Sequence, residues 1–145
     1  MPIDRVIYWD ASAVLSFLFQ DNHTAEARRH VKEQKQLHLI STLTWTETIA
    51  VIYRLQRQDL LSDGLASQAI RTIKEGPWRR LNMGPRWDVV EKLSKKWPLR
   101  GADLWHLATA KTLQREFSEL CMLTFDKRLI KAAKGEGLGG GAKEE

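Results

Sequence analysis

The stretch from residue 6 to residue 19 is apolar except for Asp10, Ser12 and Ser16. Val6-Ile7-Tyr8-Trp9 is a β-branched and aromatic run that reads as a short buried strand, and residues 13–19, with neither Gly nor Pro, read as a helix. Asp10 stands between them. An unpaired carboxylate is costly to bury, and no basic residue lies between Arg5 and Arg28 to serve it locally. Any fold of this chain must therefore bring Asp10 a donor or a cation from elsewhere. Ser12 is the expected N-cap of the helix, because its hydroxyl can accept an otherwise orphaned backbone N–H.

The alternation continues along the chain. Residues 23–34 are polar and helix-favouring, Leu37-His38-Leu39-Ile40 reads as a second strand, and Ser41 or Thr42 opens a helix running to about Arg57. That helix puts Thr44, Glu47, Val51 and Arg54 on one face. Residues 59–64 connect it to an amphipathic helix over 65–74, which Gly76-Pro77 ends. A short edge strand is expected over 78–83 and a helix over 87–96, with Pro98 as a break. A long helix then runs from Gly101 to about Phe117, with Asp103 and His106 sharing a face at i, i+3. Residues 121–124 form the next strand, with Asp126 just beyond it, and residues 127–134 form a last helix. Strands alternating with helices imply an α/β sandwich around a mostly parallel sheet.

With 145 residues the chain suits one domain, expected over residues 1–134, followed by a flexible glycine-rich tail over 135–145 with almost nothing to bury. Cys121, the only cysteine, cannot form an internal disulfide and reads as a small buried hydrophobe. No signal peptide and no apolar run long enough to span a bilayer is visible, so a cytoplasmic protein without a membrane association is expected. A net charge of +5 suits a polyanionic partner.

Asp10 and Asp126 fall just after strands, while Glu47 and Asp103 fall near helix starts, and in a parallel sheet these positions share the carboxyl edge. Their separations of 37, 56 and 23 residues make any meeting tertiary. Taken singly, Asp126 and Glu47 read as caps or helix-dipole partners. Zinc-like spacing, a nucleophile context for a Ser, His and Asp set, and a glycine-rich phosphate loop after the first strand are all missing from the sequence.

Four segments in this order, Val6-Ile7-Tyr8-Trp9-Asp10-Ala11-Ser12-Ala13, Ser41-Thr42-Leu43-Thr44-Trp45-Thr46-Glu47, Gly101-Ala102-Asp103-Leu104-Trp105-His106-Leu107-Ala108-Thr109-Ala110 and Leu123-Thr124-Phe125-Asp126-Lys127-Arg128-Leu129, resemble the PIN-domain nucleases, in particular the VapC-type toxins of toxin–antitoxin pairs. The resemblance covers nearly the whole chain. It implies a three-layer PIN-like sandwich with a central sheet of four to five strands. It also implies a ribonuclease in which Asp10, Glu47, Asp103 and Asp126 are both the catalytic residues and the ligands of Mg²⁺ or Mn²⁺. Ser12 and Thr124 match small polar positions beside the site. His106 matches a position often occupied in the family, and is read here as a histidine that packs or hydrogen-bonds structurally. Related domains commonly end in a further apolar strand, where this chain offers its glycine-rich end.

The implied partners are an RNA substrate, a cognate antitoxin and a second copy of the chain. Arg100 and Lys127, adjacent to acids in sequence, are the expected phosphate contacts, whereas Trp45 and Trp105 read as packing anchors. Hard carboxylate oxygens suit a cation that activates water and neutralises phosphate charge. Two alternatives stay open at this level: an RNA-processing PIN nuclease without a toxin role, and a non-catalytic RNA-binding domain of the same fold.

Overall fold

The computed structural model describes residues 3–139. Four strands and seven helices alternate as β1 (Arg5–Trp9), α1 (Ala11–Leu18), α2 (Thr24–Lys32), β2 (Gln36–Ser41), α3 (Thr42–Arg57), α4 (Asp63–Glu75), β3 (Trp78–Leu81), α5 (Trp87–Lys96), α6 (Gly101–Gln114), β4 (Leu120–Leu123) and α7 (Lys127–Gly135). The sheet order is β3-β2-β1-β4 and every pairing is parallel. The chain therefore works outward from β1 to β2 and β3, then crosses back to place β4 on β1's other side. Such a reversal opens a crevice at the carboxyl ends of the two strands it separates.

Alternation along the strands divides the core in two. Tyr8, Leu39, Leu120 and Met122 face a cluster built with α5, α6 and α7, including Leu93, Leu107, Leu113 and Leu129. Ile7, Trp9, Ile40, Cys121 and Leu123 face the other side, against Val14, Ala27 and Ile73 of α1, α2 and α4. Helices thus cover both faces, and the domain is a three-layer α/β sandwich. Cys121 is buried and unbridged, as its apolar setting implies.

Two expectations need correction. The N-cap of α1 is Asp10, whose Oδ1 accepts from the Ala13 N–H at 3.0 Å, while Ser12 lies inside the helix. The reason is that the helix begins directly after the strand, two residues earlier than a Ser12 cap requires, so the Asp10 carboxylate reaches the first turn itself. The glycine-rich end also buries more than its composition suggests. Leu138 is completely buried, and its carbonyl accepts from the Met122 N–H at 2.8 Å, which satisfies a donor on the free edge of β4. Glu136 accepts from Trp97 Nε1 at 2.9 Å and pairs with Lys96 at 2.8 Å. Gly135 allows this closure, since a Cβ there would stand 2.5 Å from the Trp97 ring. The remainder of the expected tail, residues 140–145, lies outside the described residues.

Deep in the second cluster, Trp9 Nε1 donates to His38 Nδ1 at 2.9 Å. Burial, aided by the nearby His30 and opposed by Glu33, pushes the His38 imidazole down to about 4. An unfolded histidine titrates near 6.5. Between these values the unfolded chain binds more protons, so His38 favours folding fully above pH 6.5 and loses that contribution as pH falls toward 4.

Two outcomes are expected. Leu138→Ala lowers the unfolding free energy by about 2–5 kcal/mol in urea titrations, the cost of emptying a fully buried leucine site; a change within error would mean the end of the chain does not pack. Wild-type stability falls on the order of 3 kcal/mol from pH 6.5 to 4 through His38, and His38→Gln, which keeps an acceptor for Trp9, flattens that slope. Parallel pH profiles for the two proteins would refute the assignment.

Candidate active site

Asp10 is buried at the end of β1, and each of its carboxylate oxygens accepts a hydrogen bond from a hydroxyl at the crevice between β1 and β4. Ser12 Oγ donates to its Oδ1 at 2.7 Å and Thr124 Oγ1 to its Oδ2 at 2.6 Å. The direction of these bonds is set by the backbone. Phe125 N–H donates to Ser12 Oγ at 3.0 Å and Asp126 N–H to Thr124 Oγ1 at 3.2 Å, so each hydroxyl has its acceptor side filled and its proton left for Asp10. Burial pushes the Asp10 carboxyl up from its ordinary range, against the pull of Thr124, His106, Ser12 and the Ala13 amide.

Asp126 is exposed at the end of the same turn and caps α7, its Oδ1 accepting from the Leu129 N–H at 3.0 Å. Its capping role, expected for an acid after a strand, is therefore real, and Oδ2 makes no hydrogen bond among the described residues. Glu47 is not a cap; Ser41 holds that position in α3, accepting from the Thr44 N–H at 3.1 Å. Instead Glu47 Oε1 meets His106 Nε2 at 2.5 Å, and Oε2 makes no hydrogen bond among the described residues.

Asp103, in the first turn of α6, is half-buried and makes no hydrogen bond or ion pair among the described residues. Burial first, then the charges of Asp126 and Glu47, push its carboxyl upward; His106 and Arg100 act the other way. None of the four acids pairs with a lysine or arginine among the described residues. A pocket of about 520 Å³ is lined by Asp103, Asp126, Arg100, Lys127, Arg128, Phe125 and Leu99. Both cations expected to meet phosphate thus stand on the wall that carries two of the acids.

As placed, no three acids, histidines or cysteines among the described residues group tightly enough to enclose one metal ion. The donor set nevertheless fits Mg²⁺ or Mn²⁺, which take one or two carboxylates, keep several waters and seldom need an all-protein cage. The open oxygens belong to Asp103, Asp126 and Glu47, all hard and none paired with a lysine or arginine among the described residues.

Residues beyond the sequence-derived set also take part. Tyr8 OH lies 2.6 Å from His106 Nδ1 and 2.8 Å from Ser41 Oγ, and burial pushes its phenol well above the ordinary range, so it stays protonated. The strand parity that places Tyr8 on the α6 side was readable; its partner was not. His23 stacks on Phe125 with ring centroids 4.4 Å apart, a contact between distant segments that no local pattern signals.

No curated protein matches the sequence. The fold is similar to PAE2754 of Pyrobaculum aerophilum, at 20% identity over 92% of this chain and 83% of that one, with a TM-score of 0.62. It is also similar to VapC20 of Mycobacterium tuberculosis, a toxin that cleaves the sarcin-ricin loop, at 17% identity over 87% of this chain and 94% of that one, with a TM-score of 0.59. The sequence model of the PIN domain matches residues 7–135, nearly the full described length, and the chain belongs to the PIN domain family.

Proposed function

We propose that this PIN domain is a Mg²⁺- or Mn²⁺-dependent endoribonuclease and the toxin of a toxin–antitoxin pair, silenced by a cognate antitoxin and working as a homodimer. Asp103 carries the reading. A half-buried carboxylate with no hydrogen bond or ion pair among the described residues, pushed upward by burial and by Asp126 and Glu47 against the pull of His106 and Arg100, is unfavourable unless a cation is expected there. Asp103, Asp126 and Glu47 would hold the ion with their open oxygens, and Asp10 would complete the set. When bound, the cation supplies a water of lowered pKa and neutralises charge developing on the phosphate.

The remaining groups act on geometry and substrate. Ser12 and Thr124 fix the plane of the Asp10 carboxylate, so its charge faces the crevice without rotating. Arg100 and Lys127, joined by Arg128, line the pocket beside Asp103 and Asp126 and would hold RNA phosphates flanking the cleaved bond. The membership of the PIN family and the likeness to a toxin fold support the nuclease and toxin readings. No helix of the described residues is long and apolar enough to cross a membrane.

Removing the Asp103 charge relieves the repulsion from Asp126 and Glu47, so Asp103→Asn is expected to raise the melting temperature of metal-free protein while abolishing RNA cleavage. A lower melting temperature together with retained cleavage would overturn the site. Mn²⁺ at about 100 times its Kd should add ~2.7 kcal/mol to wild-type stability, with chelator removing both this gain and cleavage of a single-stranded RNA. Cleavage indifferent to cation would overturn the metal-dependent mechanism, and no cleavage at all would leave a non-catalytic RNA-binding domain as the better description.

A further inference from the structure

We propose that His106 is a positioning residue for Glu47, and that Tyr8, backed by Ser41, sets the imidazole tautomer that lets it act. This rests on the reading of Glu47 as a cation ligand.

Four side chains from four elements form one line: Ser41 at the end of β2, Tyr8 in β1, His106 in α6 and Glu47 in α3. Ser41, Tyr8 and His106 are buried, so their bonds are not exchanged with water. An ionised Glu47 only accepts, so Nε2 of His106 carries the proton toward it. A neutral ring with its proton on Nε2 accepts at Nδ1, whose hydrogen-bond partner among the described residues is the Tyr8 hydroxyl at 2.6 Å. Tyr8 has one proton and gives it to His106. It must then accept from Ser41, whose proton finds Tyr8 at 2.8 Å closer than Thr44 Oγ1 at 3.3 Å. Ser41 is anchored in turn by the Thr44 N–H, and Thr44 Oγ1 donates to the Trp9 carbonyl at 2.8 Å. The line thus starts on the backbone beside Asp10 and ends on Glu47.

Its effect is directional. His106 holds Oε1 and leaves Oε2 of Glu47 open, and it stands one helical turn beyond Asp103, so α6 supplies both an acid and the group that aims a second acid from another helix. A glutamate in the second turn of a helix has three free torsions and a side chain about one-third exposed, so without this bond Oε2 would sample many positions. Hydrogen bonding of ligating carboxylates by an outer group typically changes metal affinity by about 10–100-fold.

The test uses Tyr8→Phe, which keeps ring packing, together with His106→Gln and His106→Leu, all in the full chain. Imidazole ¹⁵N spectra of metal-free wild type should show a single tautomer protonated at Nε2, and Tyr8→Phe should show a mixture. Calorimetric Mn²⁺ affinity should fall about tenfold in Tyr8→Phe and further in His106→Leu, with His106→Gln recovering part through its amide donor. On an RNA oligonucleotide, kcat should follow affinity while KM for RNA stays unchanged. If wild type binds Mn²⁺ and all three variants bind and cleave equally well, His106 has no positioning role and the proposal fails alone. If wild type neither binds Mn²⁺ nor cleaves, the nuclease reading fails and takes the proposal with it, whatever the tautomer.

Discussion

A carboxylate buried at the end of the central strand is the constraint that organises this domain. Asp10 must be surrounded by donors before the β1–α1 junction can close, and those donors come from opposite ends of the chain. Ser12 arrives with α1, but Thr124 arrives with β4, and the amides of Phe125 and Asp126 aim both hydroxyls. The pairing of β4 with β1 and the satisfaction of Asp10 are therefore one event. A misregistered β4 would leave the acid unsatisfied as well as the strand, a penalty that argues for the observed parallel register over its neighbours.

The same turn shows how stability and chemistry share atoms. Asp126 caps α7 with one oxygen while its charge bears on Asp103, so the cap also fixes the carboxylate that the proposed function would use as a ligand. Reading the acid as a cap and reading it as a ligand are compatible because a carboxylate has two oxygens. Glu47 is divided in the same way, with Oε1 held by His106. Asp103 alone has neither oxygen committed, and it is the acid on which like charge bears most directly.

The parts of this structure that rest on local pattern were legible in the sequence. Short β-branched runs, a serine before α3, Gly76-Pro77 after α4 and the succession of strands separated by helices define the elements and the sandwich, and the acids' positions at element ends place them at one edge. What pattern cannot show is which distant groups meet. Leu138 follows a glycine-rich stretch that looks unable to pack, and only the free edge of β4 and the Trp97 ring over Gly135 reveal why it does. His106 reads as an ordinary helical histidine because neither Tyr8, 98 residues away, nor Glu47, 59 residues away, is marked by spacing. Asp10 as its own helix cap was missed for a smaller reason, a shift of two residues in where the strand yields to the helix.

Charge distribution links the site to the rest of the surface. Once four of the 18 acids are gathered at one edge, 14 remain against 23 lysines and arginines, so the surface outside the site is more basic than the net +5 suggests. Arg100, Lys127 and Arg128 bring that excess to the rim of the acidic pocket without pairing with its carboxylates. A salt bridge at that rim would neutralise the acids and, under the proposed function, would remove both their demand for a cation and the cations' hold on phosphate. Keeping the two signs adjacent yet unpaired costs stability, because Asp103 stays half-buried among like charges. Under the proposed function, a polyanion and a divalent cation would be complementary occupants, each screening the charge that the other leaves exposed.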